Sequence, residues 1–131
     1  MTFSGLSEAN KALHLADLAK ANADRCNEVF HPINSWSPTD WACAMAGECG
    51  EACNEVKKLR RKFYNSDDMD LSYPEDFQKH HAVEAARVGA EVADMVIYAD
   101  LLCQRLGISL EDAIREKFNA VSEETGSDVR I

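Results

Sequence analysis

From Met45 onward, small and apolar side chains recur in steps of four and three: Met45, Cys49, Ala52, Val56, Leu59 and Phe63. With about 3.6 residues per turn, such a row stays on one face of a helix. Ser37 predicts the N-cap of that helix. Pro38 suits its first position, where a missing N–H costs nothing, and Asp40 closes a capping box. The helix should run from there to about Tyr64. A second row, Val88, Val92, Met95, Ala99, Leu102 and Leu106, predicts a helix from about His81 to Leu106, ended by Gly107 as the C′ residue. Ser109 with Asp112 predicts the cap of a further helix through about Glu124, stopped at Gly126 and followed by the short tail SDVRI. Upstream, the spacing is helical from Ser7 to about Val29, with Leu15, Leu18, Ala19, Cys26 and Val29 facing inward. Pro32 and Pro38 then exclude a helix interior from FHPINSWSP. Residues 65–79, NSDDMDLSYPEDFQK, are acidic, contain Pro74 and lose periodicity; they predict a loop or partly ordered insertion. No run alternates at period two. The expected fold is all-α, with four main helices in one domain over residues 1–131.

Composition narrows the function classes. A chain of 131 residues and 14.6 kDa suits one core, and 46% hydrophobic residues argue against disorder. The net charge of -9 disfavours nucleic acid and anionic membranes, which attract basic surfaces. An acidic protein needs local lysines or a divalent metal to bind phosphates. No segment approaches the ~20 apolar residues of a membrane span. The start MTFSGLSEAN lacks the basic and apolar regions of a signal peptide. Five cysteines without repeated spacing point to free thiols in a reducing cytoplasm. Cys49 and Cys53 lie one helical turn apart, but no further pair offers matched zinc spacing. They read as small buried hydrophobes.

The acids change the picture. The second row repeats the first at a constant offset of 43 positions, as in Met45 and Val88, Cys49 and Val92, and Phe63 and Leu106. The acids keep that offset, Glu48 with Glu91 and Glu51 with Asp94, whereas Glu55 has Tyr98 as its counterpart. At about 100° per residue, each acid pair borders its own row on the same side. Two helices packed through equivalent faces would bring four carboxylates to one edge of the seam. Unpaired and desolvated, these would repel; a divalent cation removes the conflict. Oxygen-only ligands favour a hard ion such as Mg²⁺ or Mn²⁺ over zinc. A single E-x-x-E is ordinarily a solvated helix face, so the metal reading rests on two pairs in register. Among the small residues Ala46, Gly47, Gly50 and Ala52, the glycines cost about 1 kcal/mol each against alanine in a helix, which predicts close backbone approach there.

These residues carry a resemblance. E48-C-G-E51 followed by E91-V-A-D94 resembles the E-x-x-E … E-x-x-D signature of the MazG-like all-α nucleoside triphosphate pyrophosphohydrolases. AGECGEACNEVKK looks like that family's first motif helix. EVADMVIYADLLCQRLGISLEDAIREKFN looks like its second motif helix and the helix after it. The likeness runs from Trp36 to Asn119, with a longer gap between the motifs because of residues 65–79. It implies a four-helix MazG-like bundle, assembled as a homodimer or homotetramer. It also implies hydrolysis of nucleoside triphosphates to monophosphate and pyrophosphate, with Mg²⁺ held by Glu48, Glu51, Glu91 and Asp94. Lys117 and Asn119 occupy positions resembling the family's basic and polar contacts; otherwise they belong to a surface helix end.

A metal-bound water would attack the α phosphorus in line, and Glu51 or Glu55 is the candidate proton acceptor. Lys58 and Lys62 lie further along the acid-bearing side and are candidate phosphate contacts or solvated lysines. Asn54 is a candidate sugar or base contact. Tyr98 falls on the acid-bearing side, near a sugar. Trp36 and Trp41 flank the helix cap as candidates for stacking a base or for buried anchoring. His80 and His81 should be exposed at a helix start. A di-iron carboxylate bundle wants two Glu-x-x-His motifs, and the chain offers only Glu28-x-x-His31, beside Pro32. A non-catalytic helical interaction protein is the remaining alternative, since long apolar rows in so short a chain suit association with a second copy.

Overall fold

The computed structural model describes residues 12–63 and 74–131. Helices α1 (Leu15–Val29), α2 (Pro38–Phe63), α3 (Pro74–Arg105) and α4 (Leu110–Thr125) follow one another, with a 3₁₀ turn at Ile33–Ser35. Among the described residues there is no strand, and their fold is all-helical, as the periodicity predicts.

Capping sets most of the boundaries. The Ser37 backbone N–H donates to Asp40 Oδ2 at 2.8 Å, and the Asp40 N–H donates to Ser37 Oγ at 3.2 Å. This is the reciprocal box expected from Ser37-Pro38-Thr39-Asp40. Ser109 Oγ accepts from the Asp112 N–H at 3.2 Å, and Gly126 ends α4 with φ 74°. Gly107 closes the turn after α3 with φ 69°; both glycines supply the left-handed conformation that a side chain resists.

Two boundaries differ from expectation. Helix α1 begins at Leu15, not Ser7: residues 12–14 are not helical, and residues 7–11 lie outside the described residues. The His14 N–H donates to Asp17 Oδ2 at 3.3 Å, so Asp17 satisfies the start three residues in. Helix α3 begins at Pro74, within the segment expected as a loop. Proline suits a first helical position because the N–H there has no partner. His81, with φ -143° and ψ 28°, then interrupts the helix, and the regular run that the apolar row predicts continues beyond it. Residues 65–73 of the expected insertion lie outside the described residues.

Helices α2 and α3 run antiparallel. Lys62 near the end of α2 pairs with Glu84 early in α3, while Trp41 near the start of α2 lies 6.2 Å from Tyr98 late in α3, ring centre to ring centre. Helix α1 crosses the later half of α3 and is tied to it by buried polar groups. Asn22 Nδ2 donates to Ile97 O and to Asp100 Oδ2, both at 2.9 Å. Gln104 Nε2 donates to Asp100 Oδ2 at 2.8 Å and to Ala19 O at 3.0 Å. The core forms where α1, the 3₁₀ turn, α2 and α3 converge: Cys26, Ile33, Trp41 and Leu101 are buried, with Trp36, Tyr98 and Leu102 against them.

The seam between α2 and α3 is rotated from the expected one. Its half-buried or buried row on α2 is Trp41, Met45, Glu48, Ala52, Glu55 and Leu59, whereas Cys49 and Val56 are exposed. On α3 it is Glu84, Val88, Glu91, Met95, Tyr98 and Leu102, with Val92 exposed. The 43-residue offset survives within this shifted row. Trp41 and Tyr98 give the reason. Aromatic side chains bury about 150–250 Å² each, and turning them inward rotates both helices toward their acids. The close approach expected at Gly47 and Gly50 is absent among the described residues: none of them would lie within 4 Å of a Cβ at either position, or at Gly89.

Candidate metal centre

Rotation of the seam carries Glu48 into it, opposite Glu91 and Asp94 on α3. One carboxylate oxygen from each of these residues lies within 4.8 Å of the others. Glu48 and Glu91 are half-buried and Asp94 is exposed. Burial raises the pKa of the Glu48 carboxyl above the usual glutamate range, and the negative charges of Asp94 and Glu91 add to the rise. A hydrogen bond with Glu91 and the charge of Glu51 act in the same direction.

Three oxygens so placed fit a hard cation. At metal–oxygen distances of about 2.1 Å, oxygens on opposite sides of one ion are about 4.2 Å apart. A 4.8 Å span therefore closes on an ion by small rotamer changes. The ion would also relieve the repulsion that lifts the Glu48 pKa.

Glu51 is exposed and not among the gathered oxygens. It follows Glu48 by three residues, about 60° further toward solvent, and its charge is still felt at Glu48. Glu55 lies on the seam, but away from the trio in an ion pair: Lys58 Nζ approaches its Oε1 at 2.6 Å. Lys62 is engaged by Glu84. The two lysines thus sit beyond the trio, at the α2 C-terminal end of the seam, each already beside a carboxylate.

On the other side of the trio, Asp94 also borders a cavity of about 280 Å³ between α1 and α3. Arg25, Val29, Phe30, Ile97 and Tyr98 help to line it. Burial, followed by the charges of Glu48 and Asp94, raises the pKa of the Tyr98 phenol. Tyr98 and Asp94 both line the cavity. The contribution of α1 escaped the sequence reading. Its one signal was Asn22, a polar residue in an inward row with Leu18 and Cys26. Val29, expected inward, is 72% exposed.

The remaining candidates are placed elsewhere. Trp41 is fully enclosed, and its Nε1 donates to Ile33 O at 3.0 Å, so it anchors the core and offers no face for stacking. Trp36 is half-buried; its ring stacks on His31 at 4.3 Å, and its carbonyl accepts from Arg105 Nε at 2.9 Å. Asn54 is exposed on the side of α2 turned away from the seam. His81, expected to be exposed, is half-buried at the α3 kink. Lys117 lines a different groove, between α4 and the tail. Asn119 is engaged on both amide atoms by the Ile131 backbone, at 3.0 Å each. All five cysteines are free, and Cys49 and Cys53 are exposed, not buried as expected. No known protein family, curated protein or solved structure matches the chain.

Proposed function

We propose that the chain is a Mg²⁺-dependent nucleoside triphosphate pyrophosphohydrolase, with Mn²⁺ as a substitute ion. It would act in the cytoplasm as a homodimer or homotetramer, releasing nucleoside monophosphate and pyrophosphate. One observation carries the reading: Glu48, Glu91 and Asp94 converge from two helices although the approach raises the pKa of Glu48. A helix seam has no structural need of such a cluster, and a cation gives it one. The four-acid signature and its flanks support the reaction class. The acidic charge disfavours nucleic acid as a partner, and among the described residues no helix is long and apolar enough to cross a membrane.

In this reading Glu48, Glu91 and Asp94 hold the ion, and Glu51 turns inward to join them. The ion would supply charge compensation for the triphosphate and a water of lowered pKa for attack at the α phosphorus. Lys58 and Lys62 exchange their carboxylate partners for phosphate oxygens. That exchange leaves Glu55 free of Lys58 and able to accept a proton. Tyr98 and the Phe30 side of the cavity receive the nucleoside end next to Asp94. Trp41 acts through the core alone, and no contact is assigned to Trp36, Asn54 or Asn119.

The test is a panel of nucleoside triphosphates with Mg²⁺, with products resolved chromatographically. Monophosphate with pyrophosphate is the expected result. Diphosphate with orthophosphate, or no turnover of any nucleotide, would overturn the reading. The second reading, a non-catalytic helical association module, is favoured by the exposed Val56, Val83 and Val92 on the hairpin. It gains if calorimetry detects no heat from Mg²⁺ or Mn²⁺.

A further inference from the structure

Helix α4 packs only lightly on the rest of the chain. Ser122 is its one buried residue, while Ile114, Phe118 and Val121 are each 40–42% exposed. With Thr125 these three form one face, since steps of four, three and four keep to one side of a helix. The face opens into a groove of about 590 Å³, whose far wall is the tail at Ser127 and Val129. A contiguous exposed apolar patch of this kind is often functional.

Charge indicates what covers it. Lys117 and Glu124 both flank the same edge of the apolar face, one toward each end. Among the described residues neither has an ion-pair partner. By contrast, Arg115 on the same helix is paired within it, to Glu111 and Asp112. The midpoint between Lys117 and Glu124 falls within one residue of the midpoint of the row from Ile114 to Thr125. A two-fold axis perpendicular to the helices makes such a pair antiparallel and sets like edges together, whereas an axis along them gives a parallel pair and sets unlike edges together; only the first brings Lys117 opposite a Glu124.

We propose that α4 docks against α4 of a second copy of this chain, antiparallel, with Ile114, Phe118 and Val121 interleaved. Each Lys117 then faces the partner's Glu124, so one two-fold axis satisfies both charges twice. The ion pairs set orientation and register more than affinity; the apolar row supplies the affinity. The proposal rests on the self-association put forward above, and not on the metal or the nucleotide reaction.

Sedimentation of the full chain tests it. The parent should sediment as an assembly, and Phe118→Glu should halve its mass while helical circular dichroism is retained. Lys117→Glu and Glu124→Lys are exposed changes that leave the helix intact. Each alone should weaken association about tenfold, and the double charge reversal should restore it. Three results would overturn the proposal: a folded Phe118→Glu variant of parental mass, single reversals without effect, or a double reversal no better than the singles. A parent that sediments as one chain would overturn the association as well. A parent that assembles through another face retains its mass in every variant, which removes α4 alone. If Phe118→Glu fails to fold, the charge series decides.

Discussion

Glu48 and Glu91 face each other across the α2–α3 seam with carboxylate oxygens within 4.8 Å, and Asp94 lies one turn further along α3 with an oxygen in the same range. Carboxylates gathered this closely repel and invite a cation. The first prediction follows from that repulsion. Without divalent ions at neutral pH, Glu48→Gln should melt above the parent, because it removes a charge that burial and its neighbours oppose. Added Mg²⁺ should raise the melting temperature of the parent and not of the variant, reversing the order. Thermal melts with and without EDTA check both halves.

Turnover should depend on Glu51, which lies outside the gathered three, as well as on Asp94 within them. Glu51→Gln and Asp94→Asn should each lower kcat by at least about 100-fold, the lower end of what a positioned proton-transfer group contributes, with helical circular dichroism unchanged. Activity surviving either change would remove that carboxylate from the site.

The Ser37–Asp40 box makes stability depend on pH in a known direction. Hydrogen bonds from the Ser37 backbone and hydroxyl hold the Asp40 carboxyl below its ordinary range. Its contribution is therefore present above about pH 3.9, the unfolded value, and is lost as pH falls through the lower folded value. Asp40→Asn should be less stable than the parent at pH 7 and should converge with it in strong acid. Ser37→Ala should cost about 1 kcal/mol. Urea titrations at several pH values would measure both.

The cross-link between α1 and α3 should be expensive to break on one side only. Asn22→Ala leaves the buried Asp100 carboxylate short of one donor, at a cost of about 1–3 kcal/mol. Asp100→Asn keeps an oxygen able to accept from both amides and should cost less. Midpoints of denaturant unfolding, compared between the two variants, test the ordering.

Glycine at positions 47 and 50 gives a prediction with the opposite sign to the one the sequence suggests. Among the described residues, nothing lies within 4 Å of a Cβ at either site. Gly47→Ala and Gly50→Ala should each stabilise the helix by about 1 kcal/mol. A loss of stability in either would mean that the site is in close contact and not open.

Local chemistry was readable because it acts over a few residues. Ser37, Asp40, Ser109 and Gly126 set helix ends through bonds to their own neighbours, and those ends match. The offset relating Glu48 to Glu91 was readable for the same reason, being a property of spacing alone. The angle at which the helices face each other was not. The rows through Cys49, Val56 and Val92 are regular, yet the seam forms beside them, because Trp41 and Tyr98 bury more surface than valine or cysteine. The role of α1 was hidden for a related reason: Asn22 reads as a polar interruption until Asp100, 78 positions away, supplies its partner. The absence of Glu51 from the gathered oxygens likewise depends on side-chain direction, which spacing leaves open.

The unequal counterparts Glu55 and Tyr98 have a consequence for how a ligand lies. Had both been acids, the two ends of the seam would be interchangeable, and a long molecule could settle either way round. Instead one end holds Lys58 and Lys62, and the other opens past Tyr98 into an apolar hollow. Any ligand with an anionic head and a flat, greasy tail therefore has a single heading along the seam, and the bond lying over the three carboxylates is chosen by its distance from the head.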